Sequence, residues 1–149
     1  MREIKFRAWD ENSQEMIYEV GITPEGIPYS IPENAEGCDQ FNYFLTCHKM
    51  QYTGLKDKNG REIYEGDILE ETCELYTNFG KTPTGRFHTS YVKVIWIDEG
   101  WGYEVINNNG KGLINGYKTQ GLKTTAKYSV VYGNIYEDPE LLEASHASK

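Results

Sequence analysis

Six acids crowd the middle of the chain: Glu62, Glu65, Asp67, Glu70, Glu71 and Glu74. They follow a turn-forming stretch, Asp57-Lys58-Asn59-Gly60, so calcium binding is the first chemistry to test. With Asp57 and Asn59 as ligands, the first ligand position of a calcium loop falls on Leu55 and the bidentate glutamate position on Gly66, so the loop fails twice. A hydrolase built on paired carboxylates needs one raised and one ionised carboxyl facing a cleft. With 23 acids in the chain, such pairs arise without purpose, and none here has a diagnostic neighbour. The run reads as a solvated acidic face.

Thiol and zinc chemistry would draw on Cys38, Cys47, His48, Cys73 and His88. No close ligand pair of the C-x₂₋₄-C kind occurs among them. Cys47 and His48 are adjacent, and in a strand neighbouring side chains point to opposite faces. A structural cysteine and an ordinary histidine are the expectation, and His146 sits in the tail. The stretch Gly110-Lys111-Gly112-Leu113-Ile114-Asn115-Gly116 lacks both the G-K-[ST] ending and the third glycine of a nucleotide loop, so a turn explains it better. Three lysines, Lys118, Lys123 and Lys127, mingle with Tyr128 and form a thin basic patch. Without arginine they offer little to a phosphate backbone, yet they are the one alternative nucleic-acid loop the sequence provides.

The elements that would carry these residues are strands. Ile4, Phe6 and Ala8 alternate with Lys5 and Arg7, and Met16 to Val20 returns after a turn-rich Asp10 to Ser13, which predicts an N-terminal hairpin. Pro24, Pro28 and Pro32 then interrupt any long element and mark residues 21–37 as an extended insert. Residues 40–52 read as a strand of impure alternation, with a short helix left open. Asp67 to Leu75 is a strand with mixed faces, and Asn78 to Thr89, polar with Gly80, Pro83 and Gly85, reads as a long loop. Ser90 to Ile97 is the clearest strand, Trp101 to Ile106 returns from it, and Lys127 to Tyr136 supplies another. Asp138-Pro139 predicts the cap and first position of a short C-terminal helix.

The balance of the 149 residues limits the function classes. A formal net charge of −8 disfavours non-specific binding to nucleic acid. Hydrophobic content is only 38%, but twelve Tyr and three Trp fill a modest core and leave aromatic surface for an interface. Tyr91, Trp96, Trp101 and Tyr103 are the candidate interface residues. No apolar run approaches the roughly 20 residues of a spanning helix, and Met1 to Arg7 does not open a signal peptide. Reduced thiols in the cytoplasm are expected.

Three blocks of sequence resemble the YopX family, small proteins of bacteriophages and prophages. They are Ile4-Lys5-Phe6-Arg7-Ala8-Trp9-Asp10, then Met50 to Gly60 with Ile63-Tyr64-Glu65-Gly66-Asp67-Ile68, then Val131-Tyr132-Gly133-Asn134-Ile135-Tyr136 with Glu137 to Leu142. The resemblance implies a mainly β fold: a small SH3-like β-barrel over residues 50–149, preceded by an N-terminal hairpin and loop region over 1–49. It implies a phage or prophage origin in a bacterial host cell, and no catalytic residues come with it.

Together these readings predict a non-enzymatic accessory protein of the cytoplasm that self-associates or binds a host or phage protein. No cofactor, metal or membrane is expected. The alternative is a nucleic-acid-associated protein using the Lys118–Lys127 loop.

Overall fold

The computed structural model describes residues 3–107 and 115–142. The fold is mainly β, with two antiparallel sheets and few helices among those residues. Two compact units divide the chain between Gly54 and Leu55. Among the described residues no helix is long and apolar enough to cross a membrane.

In the first unit, strands β1 (Phe6–Asp10) and β2 (Glu15–Ile22) form the expected hairpin. The carboxylate of Asp10 accepts the Asn12 N–H at 2.9 Å and steadies its turn. Arg7 departs from the alternation. Alternation puts it on the polar side with Lys5, yet Arg7, Ala8 and Trp9 are all buried. The register shifts at Phe6/Arg7 in the pairing with β2, and β5 (His48–Lys56) pairs on the other edge of β1. Consecutive buried residues mean that both faces of β1 are covered here, so the in–out pattern does not separate core from solvent.

The Pro-rich insert also carries strands. A turn closed by Gly26 N–H to Thr23 O at 2.8 Å leads into β3 (Pro28–Ser30), and β4 (Asn42–Tyr43) pairs with it. Pro28 opens its strand, where a missing N–H costs little. Residues 40–52 divide between the short β4 and the start of β5, after a single 3₁₀ turn at Cys38–Gln40.

In the second unit, β5 ends at Lys56, a tight turn follows, and β6 (Glu62–Tyr64) leads to a second turn at Gly66. Then come β7 (Asp67–Thr77), β8 (Thr82–Ile97), β9 (Gly100–Asn107), β10 (Lys118–Gln120), helix α1 (Leu122–Ala126) and β11 (Val130–Asn134). Their sheet order is β10-β9-β8-β7-β11, so the last strand returns to the first of the meander. Ile63, Leu69, Val92, Val94, Val105, Leu122 and Ala126 make the core, with Leu55, Trp101, Tyr103 and Val131 packed around it. α1 is absent from the sequence reading because its five residues are too short to show a helical period.

The expected long loop at Asn78–Thr89 is instead mostly strand. β8 begins at Thr82, and only the turn around Asn78 to Lys81 separates it from β7. Thr72 faces Thr89, Cys73 faces His88, Glu74 faces Phe87 and Tyr76 faces Pro83. This ribbon is mostly polar and largely exposed, with Tyr76 and Phe87 as scattered rings, so it has no apolar period to read. Backbone pairing defines it, helped by the Thr72 and Thr89 hydroxyls 3.0 Å apart.

Candidate functional site

The turn before β6 is built on one buried carboxylate. Asp57 Oδ1 accepts the N–H groups of Asn59 and Arg61, and Oδ2 accepts that of Val131, all at 2.9 Å. Burial pushes this carboxyl up, but the three N–H donors and the Arg61 charge outweigh it and hold Asp57 below its ordinary value. The Lys58 N–H donates to Ser129 O at 3.0 Å, which ties the turn to the segment between α1 and β11. Gly60, at φ +86°, supplies the left-handed step that closes the turn. Asp57, tested above as a calcium ligand, thus binds backbone N–H groups of its own fold, that of Asn59 among them.

A matching device ends β11. Asn134 Oδ1 accepts the N–H groups of Tyr136 and Glu137 at 3.0 and 2.8 Å, and Asp138 Oδ2 accepts that of Asn134 at 3.2 Å. A side chain at Gly133 would collide with the Asp138 carboxylate, so this approach needs glycine. The Leu141 and Leu142 N–H groups reach back to Asp138 O and Pro139 O, a helical turn where one was expected.

The acidic run disperses into separate contacts. Asp67 is 1% exposed and accepts the Tyr64 N–H at 2.8 Å, so it does not belong to a solvated face. Glu70 bonds the Tyr91 hydroxyl, Glu71 accepts from Cys73 Sγ at 3.4 Å, and Glu74 accepts the Gly85 N–H at 3.0 Å. Burial first, then Asp10, pushes the Cys47 thiol up; burial and Glu71 do the same to Cys73. Neither thiol is therefore tuned as a nucleophile. His48 pairs with Glu11 at 2.6 Å, and no cluster of three metal-binding side chains occurs among the described residues. The Cys38 side chain, residues 110–114 of the glycine-rich stretch and His146 lie outside the described residues.

The four aromatic candidates do not share one patch. Trp96 faces Trp101, Val94 faces Tyr103 and Val92 faces Val105, so all six lie on one side of the sheet. Trp101 and Tyr103 pack against the core. Trp96 extends the row past it, half exposed and edge-on to Trp101 at 4.9 Å. Tyr91, beyond a register shift, meets Tyr132 at 5.2 Å. Burial, then Glu70 and Tyr132, push its hydroxyl up to about 12.

More aromatic surface lies away from these four residues. Tyr76 and Phe87 are exposed on the β7–β8 ribbon, and Phe79 is wholly exposed at its tip with φ +58°. In the first unit Tyr29 stacks on Phe41 at 5.6 Å beside Tyr43. The density of aromatics at Phe41, Tyr43 and Phe44 was the available signal.

Lys118, Lys123 and Lys127 are exposed but sit on different elements: β10, α1 and the residue after α1. Lys118 stands opposite Glu104 in the ladder. Lys127 instead joins Lys58, Tyr128, Glu71, Thr72 and Cys73 around a cleft of about 430 Å³. This cleft brings the signature turn, the end of α1 and the edge of β7 together. It lies where β11 stops pairing with β7, at Val130 and Glu70.

The YopX protein family model matches residues 5–143. The chain belongs to the YopX family. The match takes in the second and third blocks that carried the resemblance and all but Ile4 of the first, including the Asp57 turn and the Asn134 turn that the structure shows bracing β11. Among solved structures, this YopX protein is similar to protein EF1440 from Enterococcus faecalis, at 26% identity and a TM-score of 0.55. That similarity covers 95% of this chain and 99% of the other. A comparison with curated proteins gives no match.

Proposed function

We propose that this YopX protein is a non-enzymatic phage or prophage accessory protein of the bacterial cytoplasm, acting as a protein-binding or self-associating module. One observation carries the reading: the β7–β8 ribbon. From Glu71 to Thr77 and from Thr82 to Ser90 each strand pairs only with the other among the described residues. An isolated two-stranded ribbon is marginal in water, and this one exposes Tyr76, Phe79 and Phe87. A partner that covers those rings or adds a strand supplies what the ribbon lacks.

The raised thiols and the commitment of Asp57 and Asp67 to backbone N–H groups favour binding over catalysis. The SH3-like part of the reading draws support from the second unit's order. A four-strand meander, a short helix and a last strand returning beside the first follow an order that such a coiled sheet also uses, with β10 and β11 as its two edges. The nucleic-acid alternative loses support from the separation of Lys118, Lys123 and Lys127.

Light scattering over a concentration series, together with affinity capture from phage-infected cells, tests the proposal. Self-association or a retained partner, lost when Phe79 and Phe87 become Ser, is the expected result. A monomer at high concentration that retains no partner overturns it.

A further inference from the structure

The cleft at the edge of β7 has a direction, and that direction selects an occupant. β11 runs antiparallel to β7 and begins at Val130, opposite Glu70. Beyond Glu70 the same edge of β7 continues through Glu71, Thr72 and Cys73 with no strand beside it among the described residues. A strand added there in line with β11, antiparallel to β7, advances toward Val130. Its C-terminal end therefore arrives where the chain leaves α1 and enters β11.

That arrival point is walled and charged. The Lys58 N–H to Ser129 O bond at 3.0 Å and the Ser129 Oγ to Thr125 O bond at 2.7 Å fix the wall. A chain passing through would have to displace this wall, whereas a chain that ends there would not. Lys58 and Lys127 line the cleft and are exposed, with Glu71 as the single acid among the lining residues. Glu71 already accepts from Cys73 Sγ. The lining thus carries two cations against one carboxylate, on a protein of net charge −8. Tyr128, 62% exposed, adds a ring to pack on the last side chain.

From this geometry we infer that the cleft binds the C-terminal residues of a partner protein as an added β-strand, with the terminal carboxylate between Lys58 and Lys127. Main-chain hydrogen bonds to β7 give affinity, and the carboxylate gives register. The inference rests on the protein-binding reading and narrows it to one class of partner.

The test uses pooled six-residue peptides of alternating β-branched and polar residues, each as free acid and as C-terminal amide. Fluorescence anisotropy measures binding to the full chain, and amide shifts in NMR locate it. Free-acid members bind, with shifts at Lys58, Glu71 to Cys73, Lys127 and Tyr128. Amidation, Lys58→Glu and Lys127→Glu each weaken binding at least about tenfold, the worth of one charge-assisted hydrogen bond. Both lysine side chains are exposed, so these variants keep the fold, and unchanged far-UV circular dichroism verifies it. Equal binding of acid and amide, or none by either pool, overturns the inference. If partner capture by the ribbon persists in that case, the protein-binding reading stands and this narrower inference alone falls.

Discussion

Asp57 Oδ2 accepts the Val131 N–H at 2.9 Å across 74 positions of sequence. The bond joins the second family block to the third, and with its two partners on Oδ1 it makes one carboxylate the staple between the signature turn and β11. A buried carboxylate with three N–H donors is worth more than a surface ion pair, because removing it strands those donors away from water.

Replacing Asp57 with Ala is therefore expected to cost about 3 kcal/mol or more of stability, measured by urea unfolding. The carboxyl lies below its ordinary value in the fold, so its contribution is full above the unfolded value near pH ~4 and is lost as pH falls through the folded value. Asp57→Asn should flatten that acid limb. An unchanged slope below pH ~4 would count against the staple.

Tyr91 provides a test in alkali. Its hydroxyl titrates at about 12 because burial, Glu70 and Tyr132 disfavour the phenolate. A raised acid of this kind contributes stability below the unfolded value near pH ~10 and loses it as pH rises toward the folded one. Absorbance at the tyrosinate band should show a late-titrating component that shrinks by one tyrosine in Tyr91→Phe and shifts earlier in Glu70→Gln.

The edge-on contact of Trp96 with Trp101 gives a third test. Trp96→Ala is expected to lose roughly 1 kcal/mol from the aromatic pair together with part of the burial of one half-exposed ring, well short of a core deletion. The near-UV circular dichroism of the paired indoles should fall with it. A loss as large as that of a fully buried tryptophan would place Trp96 inside the core instead.

Phe79 separates folding from binding. It holds φ +58° at full exposure, a conformation that a bulky side chain adopts at a cost. Phe79→Gly should leave stability unchanged or raise it by up to about 1 kcal/mol while weakening partner capture. In hydrogen exchange, the amides of residues 72–77 and 82–89 should exchange far faster than those of the core and slow when a partner binds.

Much of the strand pattern was legible because it obeys local rules. The β1–β2 hairpin, the apolar β8 segment through Val92 and Val94, the Asn59-Gly60 turn and the helical turn after Asp138 each carry a period or a turn signal within a few residues. The ribbon was not legible, because Thr72 to Thr77 and Thr82 to Thr89 are mostly polar, carry no apolar period and are strands only by pairing with each other. Arg7 was misplaced because a register shift and cover on both faces of β1 bury the polar side as well as the apolar one.

The sequence by itself determined the family, the mainly β character and the residues of the two bracing turns, since these depend on residue type and short spacing. Tertiary structure decided what those residues do. Asp57 could have faced a metal, solvent or a backbone, and only the return of β11 beside β7 brings the Val131 N–H to it. The same return leaves the rest of β7 open and sets Lys58 beside Lys127, 69 positions apart in the chain (127 − 58). Such a pairing arises from strand order, which no local pattern encodes.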